Sequence, residues 1–210
     1  MTHAGTSDEL VAHEVKHFMD VYANVESQIA DKTFSAVSCG DVHKLRALFT
    51  RYGPALSRIK RVLNGKTVCD ELLHVAAAKN RLDCVRVLVQ QGANVNALDS
   101  TGRTPLMVAA TNGYDDVEIV RLLLGSPDLD VDVQDPTGRT ALHLAIAQSN
   151  VECVDALIQR GVNSKIGIEP LKYAMDIGSK QCFRMLLQAG VTSEGADWLC
   201  NMLGQDLLID

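Results

Sequence analysis

The chain is 210 residues long, enough for one well-buried domain or one domain with a small appendage. Apolar residues make up 47% and charged residues 22%, an ordinary globular balance, and no apolar run approaches the roughly 18 residues that span a bilayer. A net charge of −6 with only 4% aromatic residues argues against a nucleic-acid binder, which presents a basic face and stacking rings.

The opening MTHAGTSDEL lacks the basic-then-apolar pattern of a signal peptide, so the expected location is cytoplasmic, nuclear or both. Thr6 and Glu9 have capping-box spacing, and a helix is expected from near Ser7. Along it Val11, Val15, Phe18, Tyr22, Val25 and Ile29 recur at alternating steps of four and three, a heptad-like apolar stripe. Residues 13–17 read HEVKH, the pattern with which many zinc hydrolases hold their metal. The stripe leaves His13 and His17 on the opposite, polar side of the helix. A zinc site also needs a third ligand in a sheltered cleft, and the extended protease pattern asks for Gly and His where this chain has Asp20 and Ala23. The pair is read as the wet side of a helix, with no metal and no cofactor expected. Residues 1–32 are taken as an N-terminal cap that could instead dock a partner helix or dimerise.

A basic cluster follows at Arg51, Arg58, Lys60, Arg61 and Lys66, read as a solvated loop or a contact for an acidic partner. Leu56, Ile59 and Leu63 lie at helical spacing and predict an extra short helix in this stretch.

The middle of the chain repeats itself. Leu73, Leu106 and Leu142 fall in register, as do Ala76, Ala109 and Ala145, and DSTGRTPL (99–106) matches DPTGRTAL (135–142). Each unit begins with an Asp- and Gly-rich turn and a Thr suited to cap a helix; Pro105 then sits where its missing N–H is harmless. A short Ala-rich helix, a break (Asn80, Asn112-Gly113, Asn150) and a second apolar-striped helix follow. Gly92 and Gly161 suit left-handed C-terminal caps. The spacing from Leu142 to Leu171 is shorter, which predicts a shortened connection before the last unit. The stretch between the first two units and YDDVEIV (114–120) read as insertions.

TGRTPLMVAA, TGRTALHLAIA and LVQQGANVNALD resemble ankyrin repeats, strongly over 66–165 and more weakly at both flanks. The resemblance implies an all-α solenoid of antiparallel helix pairs joined by β-hairpin-like finger loops, with N- and C-terminal capping helices. The repeats are expected near 33–65, 66–100, 101–136, 137–167 and 168–191, followed by a C-terminal helix or tail at 192–210. That tail carries Trp198, Leu199, Met202, Leu203, Leu207 and Leu208, suited to capping or docking.

It also implies a non-enzymatic adaptor or regulator, monomeric, that binds a protein partner through the concave face, with neither nucleic acid nor membrane as partner. Mapped onto this chain, the recognition positions are Leu98, Ser100, Arg103, Met107, Thr111, Asn112 and Tyr114, then Gln134, Arg139, Gln148 and Ser149. Arg103 and Arg139 occupy one slot on successive fingers, either facing a partner or pairing with their own turns. Ankyrin finger asparagines are often hydroxylated, and Asn96 with Leu88 upstream fits that spacing. Two alternatives stay open: an inhibitor of a transcription factor, similar to the ankyrin inhibitors of Rel proteins, and a zinc-dependent hydrolase using HEVKH.

Other chemistry fails on spacing. Cys84, Cys153 and Cys182 share a repeat slot with Ile119, the mark of a small apolar core position. His74 and His143 sit in a slot that in the resembled family is structural. DLDVDVQD (128–135) lacks the Gly and Glu of a calcium loop, and its acidic finger is either solvated or turned to a basic partner. Neither a phosphate loop nor a nucleophile elbow occurs.

Overall fold

The computed structural model describes residues 27–53, 61–63, 66–68, 72–112, 117–163 and 169–191. The HEVKH pair, Tyr114 and the C-terminal apolar residues lie outside these.

Helix α1 covers 27–39, so the expected boundary at residue 32 falls inside one helix. It is followed by α2 (Val42–Tyr52), the strands β1 (Arg61–Leu63) and β2 (Lys66–Val68), and then helix pairs. These are α3 (Leu72–Ala78) with α4 (Leu82–Gln90), α5 (Pro105–Thr111) with α6 (Glu118–Leu124), α7 (Ala141–Ala147) with α8 (Val151–Arg160), and α9 (Pro170–Ile177) with α10 (Lys180–Gln188). First helices stack on first helices, α3 on α5 on α7 on α9, and second helices on second helices, α2 on α4 on α6 on α8 on α10. The result is two helical layers over one continuous apolar core running from Phe34 to Leu186.

Local chemistry starts and stops these short helices. Asp41 accepts from the Lys44 amide at 2.9 Å, Thr104 Oγ1 from the Met107 amide at 3.2 Å, and Asn150 Oδ1 from the Cys153 amide at 2.9 Å. Each satisfies an N–H that the helix itself leaves unpaired. The second helices of two units end before Gly92 (φ 77°) and at Gly161 (φ 86°), the left-handed geometry expected of those glycines. In the fourth unit the left-handed residue of the break is Ser149 (φ 53°), not Asn150, which caps the next helix instead. The connection before α9 is indeed short, from Gly161 to Glu169, against Gln91 to Thr104 before α5.

The expected extra helix does not extend to Leu63. Residues 61–63 and 66–68 form an antiparallel ribbon, with Arg61 opposite Val68 and Leu63 opposite Lys66, so Leu63 belongs to a strand; Leu56 and Ile59 lie outside the described residues. The residues between the strands are Asn64-Gly65, the dipeptide that two-residue hairpins favour.

Candidate partner-binding face

The fingers preceding α5 and α7 are built on a period of two. Ala93, Val95 and Ala97 are buried while Asn94 and Leu98 are exposed; on the next finger Leu129 is buried and Val131 and Val133 pack against the core, with Asp130 and Gln134 exposed. The alternation carries on to Asp99 and Asp135, which point inward and organise the turns. Asp99 Oδ1 accepts from the Thr101 amide (2.8 Å), the Thr101 hydroxyl (2.6 Å) and the Arg103 amide (2.9 Å). Asp135 repeats this with Thr137 and Arg139 at 2.9, 2.6 and 2.9 Å. Burial raises the Asp135 carboxyl, but the hydrogen bonds from Thr137 and Arg139 outweigh it and hold the group down at about 2. The same balance lowers Asp99.

These carboxylates also answer the question about the two arginines. Arg139 Nε and a terminal nitrogen donate to Asp135 Oδ2 at 3.0 and 2.9 Å, and Arg103 reaches Asp99 Oδ2 at 3.3 Å. Each cation is paired within its own turn. The side chains stay about one-third exposed, 35% and 36%.

The remaining expected residues divide into two groups. Leu98 (49% exposed), Ser100 and Gln134 are on the finger tips, and Gln148 and Ser149 are exposed at the end of α7. Thr111 and Asn112 lie half-buried at the end of α5. Three of these side chains already have work inside the array: Thr111 Oγ1 donates to the Val108 carbonyl (2.8 Å), Asn112 Nδ2 to the Ala77 carbonyl (2.6 Å) and Ser149 Oγ to Ser179 Oγ (3.2 Å). Met107 is a correction. At 1% exposure it fills the slot of His74 and His143 between stacked first helices and cannot be presented to a partner. Asn96 bridges repeats, its Nδ2 donating to the Asp128 carbonyl (2.7 Å) and its Oδ1 accepting from the Asp130 amide (2.9 Å).

Both histidines are buried and structural. His74 Nε2 donates to the Arg103 carbonyl of the next unit at 2.9 Å. His143 Nδ1 accepts from the Thr140 amide at 3.0 Å, which leaves the proton of the neutral ring on Nε2, and its ring meets Tyr173 edge-on at 5.4 Å. Cys84, Cys153 and Cys182 are fully buried, as Ile119 nearly is. Burial above all, then the neighbouring Cys182, pushes the Cys153 thiol up to about 12. Among the described residues no three His, Cys, Asp or Glu side chains converge on a metal position, and no helix is long and apolar enough to cross a membrane.

Sequence reasoning passed over Met175 and Ile177, 38% and 41% exposed at the end of α9. The register was the available signal. Met175 occupies the slot of Ala77, Ala110 and Ile146, which are buried at 1% or less.

A family model for ankyrin repeats, described in three copies, matches residues 34–135 and again 114–197. The chain belongs to the ankyrin-repeat family. Among curated ankyrin relatives, it is 37% identical over 125 residues to the probable E3 ubiquitin-protein ligase XBOS31 of Oryza sativa subsp. japonica, covering 60% of this chain and 26% of that protein. It is 32% identical over 158 residues to Rabankyrin-5 of Mus musculus, covering 56% and 13%. It is 33% identical over 135 residues to the putative ankyrin repeat protein FPV031 of Fowlpox virus (strain NVSL), covering 58% and 39%. The alignments therefore span well under half of each relative. Ankyrin repeats are protein–protein interaction modules, and the two-layer stack with ordered fingers is that module here.

Proposed function

We propose that the chain is a non-enzymatic adaptor or regulator that captures a protein partner on the concave side of its ankyrin array. In this reading it acts as a monomer in the cytoplasm or nucleus, without a cofactor, and its partner is neither nucleic acid nor membrane. The observation that carries the reading is Leu98, an apolar side chain left 49% exposed on a finger whose backbone is locked by Asp99. An exposed apolar side chain on a rigid turn, flanked by polar groups, matches the apolar centre and polar rim of an interface. Ser100 beside it and Gln134 in the same slot of the next finger widen the contact, and Arg103 and Arg139 line its edge as paired, partly exposed cations.

Capture from cell extract on the immobilised chain, followed by mass spectrometry, tests this. Proteins retained by the natural chain should be lost by about tenfold or more with Leu98→Asp combined with Ser100→Glu, while thermal unfolding moves little because both positions are exposed. Reversing Arg103 or Arg139 would be a poorer test, since it places like charges against Asp99 or Asp135. Undiminished capture by the Leu98→Asp, Ser100→Glu variant would sink the assignment. The activity named for the rice relative belongs to a protein of which the alignment covers 26%, and it is not part of this proposal.

A further inference from the structure

The last repeat leaves one of its repeated slots uncovered. Ala77, Ala110 and Ile146 hold the same place on α3, α5 and α7, and each is buried at 1% or less. A further first helix stacks on each of those three helices. Among the described residues α9 is the last first helix, and Met175, in that slot, is 38% exposed. The core beneath it is complete: Leu171, Ala174, Cys182, Phe183 and Leu186 are all buried. What stays open is the seam where one more first helix would lie.

The chain leaves α10 on the path that leads to that seam in earlier units. Gly190 has φ 74°, and the Val191 amide donates to the Leu186 carbonyl at 2.9 Å. After Gly92 the Ala93 amide donates to the Leu88 carbonyl at 3.0 Å, and after Gly161 the Val162 amide to the Leu157 carbonyl at 3.5 Å. From those two exits the next first helix begins at Pro105, twelve residues after Ala93, and at Pro170, eight after Val162. Counted from Val191, the same interval ends between Leu199 and Leu203. Trp198, Leu199, Met202 and Leu203 stand there, at a spacing that places them on one face of a helix. Asp197 precedes them, a residue suited to cap a first turn.

We infer that the chain's own segment 197–203 docks on the open end of the array, with Trp198, Leu199, Met202 and Leu203 set against Met175 in place of a further first helix. Tethering selects this occupant. A segment joined at Val191 is held beside the seam at a high effective concentration, which neither a second copy nor a separate partner matches. The segment is then committed to sealing the array rather than offered to a partner. The Leu98 face is at a different place in the stack, and the two readings do not depend on one another.

Trp198 is the one tryptophan of the chain, so its fluorescence reports the contact in the full chain. In the natural chain its emission should lie to the blue of its position in denaturant and resist acrylamide quenching, equally at all protein concentrations. Met175→Asp puts a charge into the seam; it should move the emission to the red and restore quenching, while circular dichroism shows the array still helical. Met175→Ala, which only shortens the side chain, should act in the same direction by less and remains readable if the Asp variant does not fold. Leu98→Asp should leave the emission unchanged. The proposal is overturned if Trp198 in the folded chain emits and quenches as it does in denaturant, or if the Met175 variants leave a buried emission where it was. Emission that turns red on dilution, with a dimer in sedimentation, also overturns it, because the occupant would then be the same segment of a second copy.

Discussion

The Asn112 side chain, at the end of α5, donates to the carbonyl of Ala77 in the preceding unit at 2.6 Å. The same carbonyl accepts from the Asn80 amide at 3.1 Å, so one oxygen closes its own helix and receives the next repeat. Asn112→Ala leaves that oxygen one partner, and the expected loss is about 1 kcal/mol. Chemical denaturation should show it as a shifted midpoint at constant slope; an unchanged midpoint would mean that water replaces the amide without penalty.

Successive fingers touch where there is no room for a side chain. Gly102 has φ 75°, and a Cβ there would sit 2.8 Å from Pro136 Cδ; Gly138 has φ 80° with nothing nearer than 3.9 Å. Both Ala substitutions carry the cost of a left-handed residue, roughly 1 kcal/mol or more, and Gly102→Ala adds a collision with a stiff ring. Gly102→Ala should therefore unfold at the lower temperature of the two, and Pro136→Ala in the same chain should recover part of the difference.

Acid should loosen the fingers. The Asp135 carboxyl is held at about 2, below its usual 3.8, so the folded chain releases this proton more readily than the unfolded one. Its contribution, about 2 kcal/mol, is present above roughly pH 4 and is lost as the pH falls through about 2. Asp99 acts in the same direction. Unfolding free energies measured across that window should fall, and Asp135→Asn, with no carboxylate to titrate, should give a flatter profile from a lower plateau.

Thiol chemistry should separate surface from core. Burial raises the thiols of Cys84 and Cys153, the latter to about 12, and the thiolate is the reactive form. With Cys39, Cys69 and Cys200 changed to Ser, the folded chain should release almost no chromophore from a thiol-exchange reagent near pH 8, whereas denaturant should expose Cys84, Cys153 and Cys182 together.

The legible parts of this molecule are those set by local chemistry. Thr104-Pro105 starts a helix because a hydroxyl caps and a ring fits the first turn, and Gly92 and Gly161 end helices because φ near 80° favours glycine. The repeat register by itself placed Cys84, Cys153 and Cys182 in the core, since a slot shared with Ile119 is an apolar slot. Leu98 was placed on a finger tip by the ankyrin resemblance, and the alternation of side chains along the finger is the physical reason that it is exposed. The Asn64-Gly65 turn signal was equally local and was passed over in favour of the spacing of Leu56, Ile59 and Leu63.

The sequence by itself thus determined the repeat, its helix boundaries and its turn chemistry, all of which depend on neighbours a few residues away. Only the tertiary structure decided what each repeated slot faces. Ile146 is hidden and Met175 exposed at the same repeated slot, because exposure depends on what stacks against the helix. Arg103 and Arg139 turn back to Asp99 and Asp135 because the inward phase of the finger buries those carboxylates beside them. Asn112 and Asn96 are occupied by carbonyls and amides more than thirty residues away. Such contacts exist only once the repeats are stacked, and no pattern confined to one repeat encodes them.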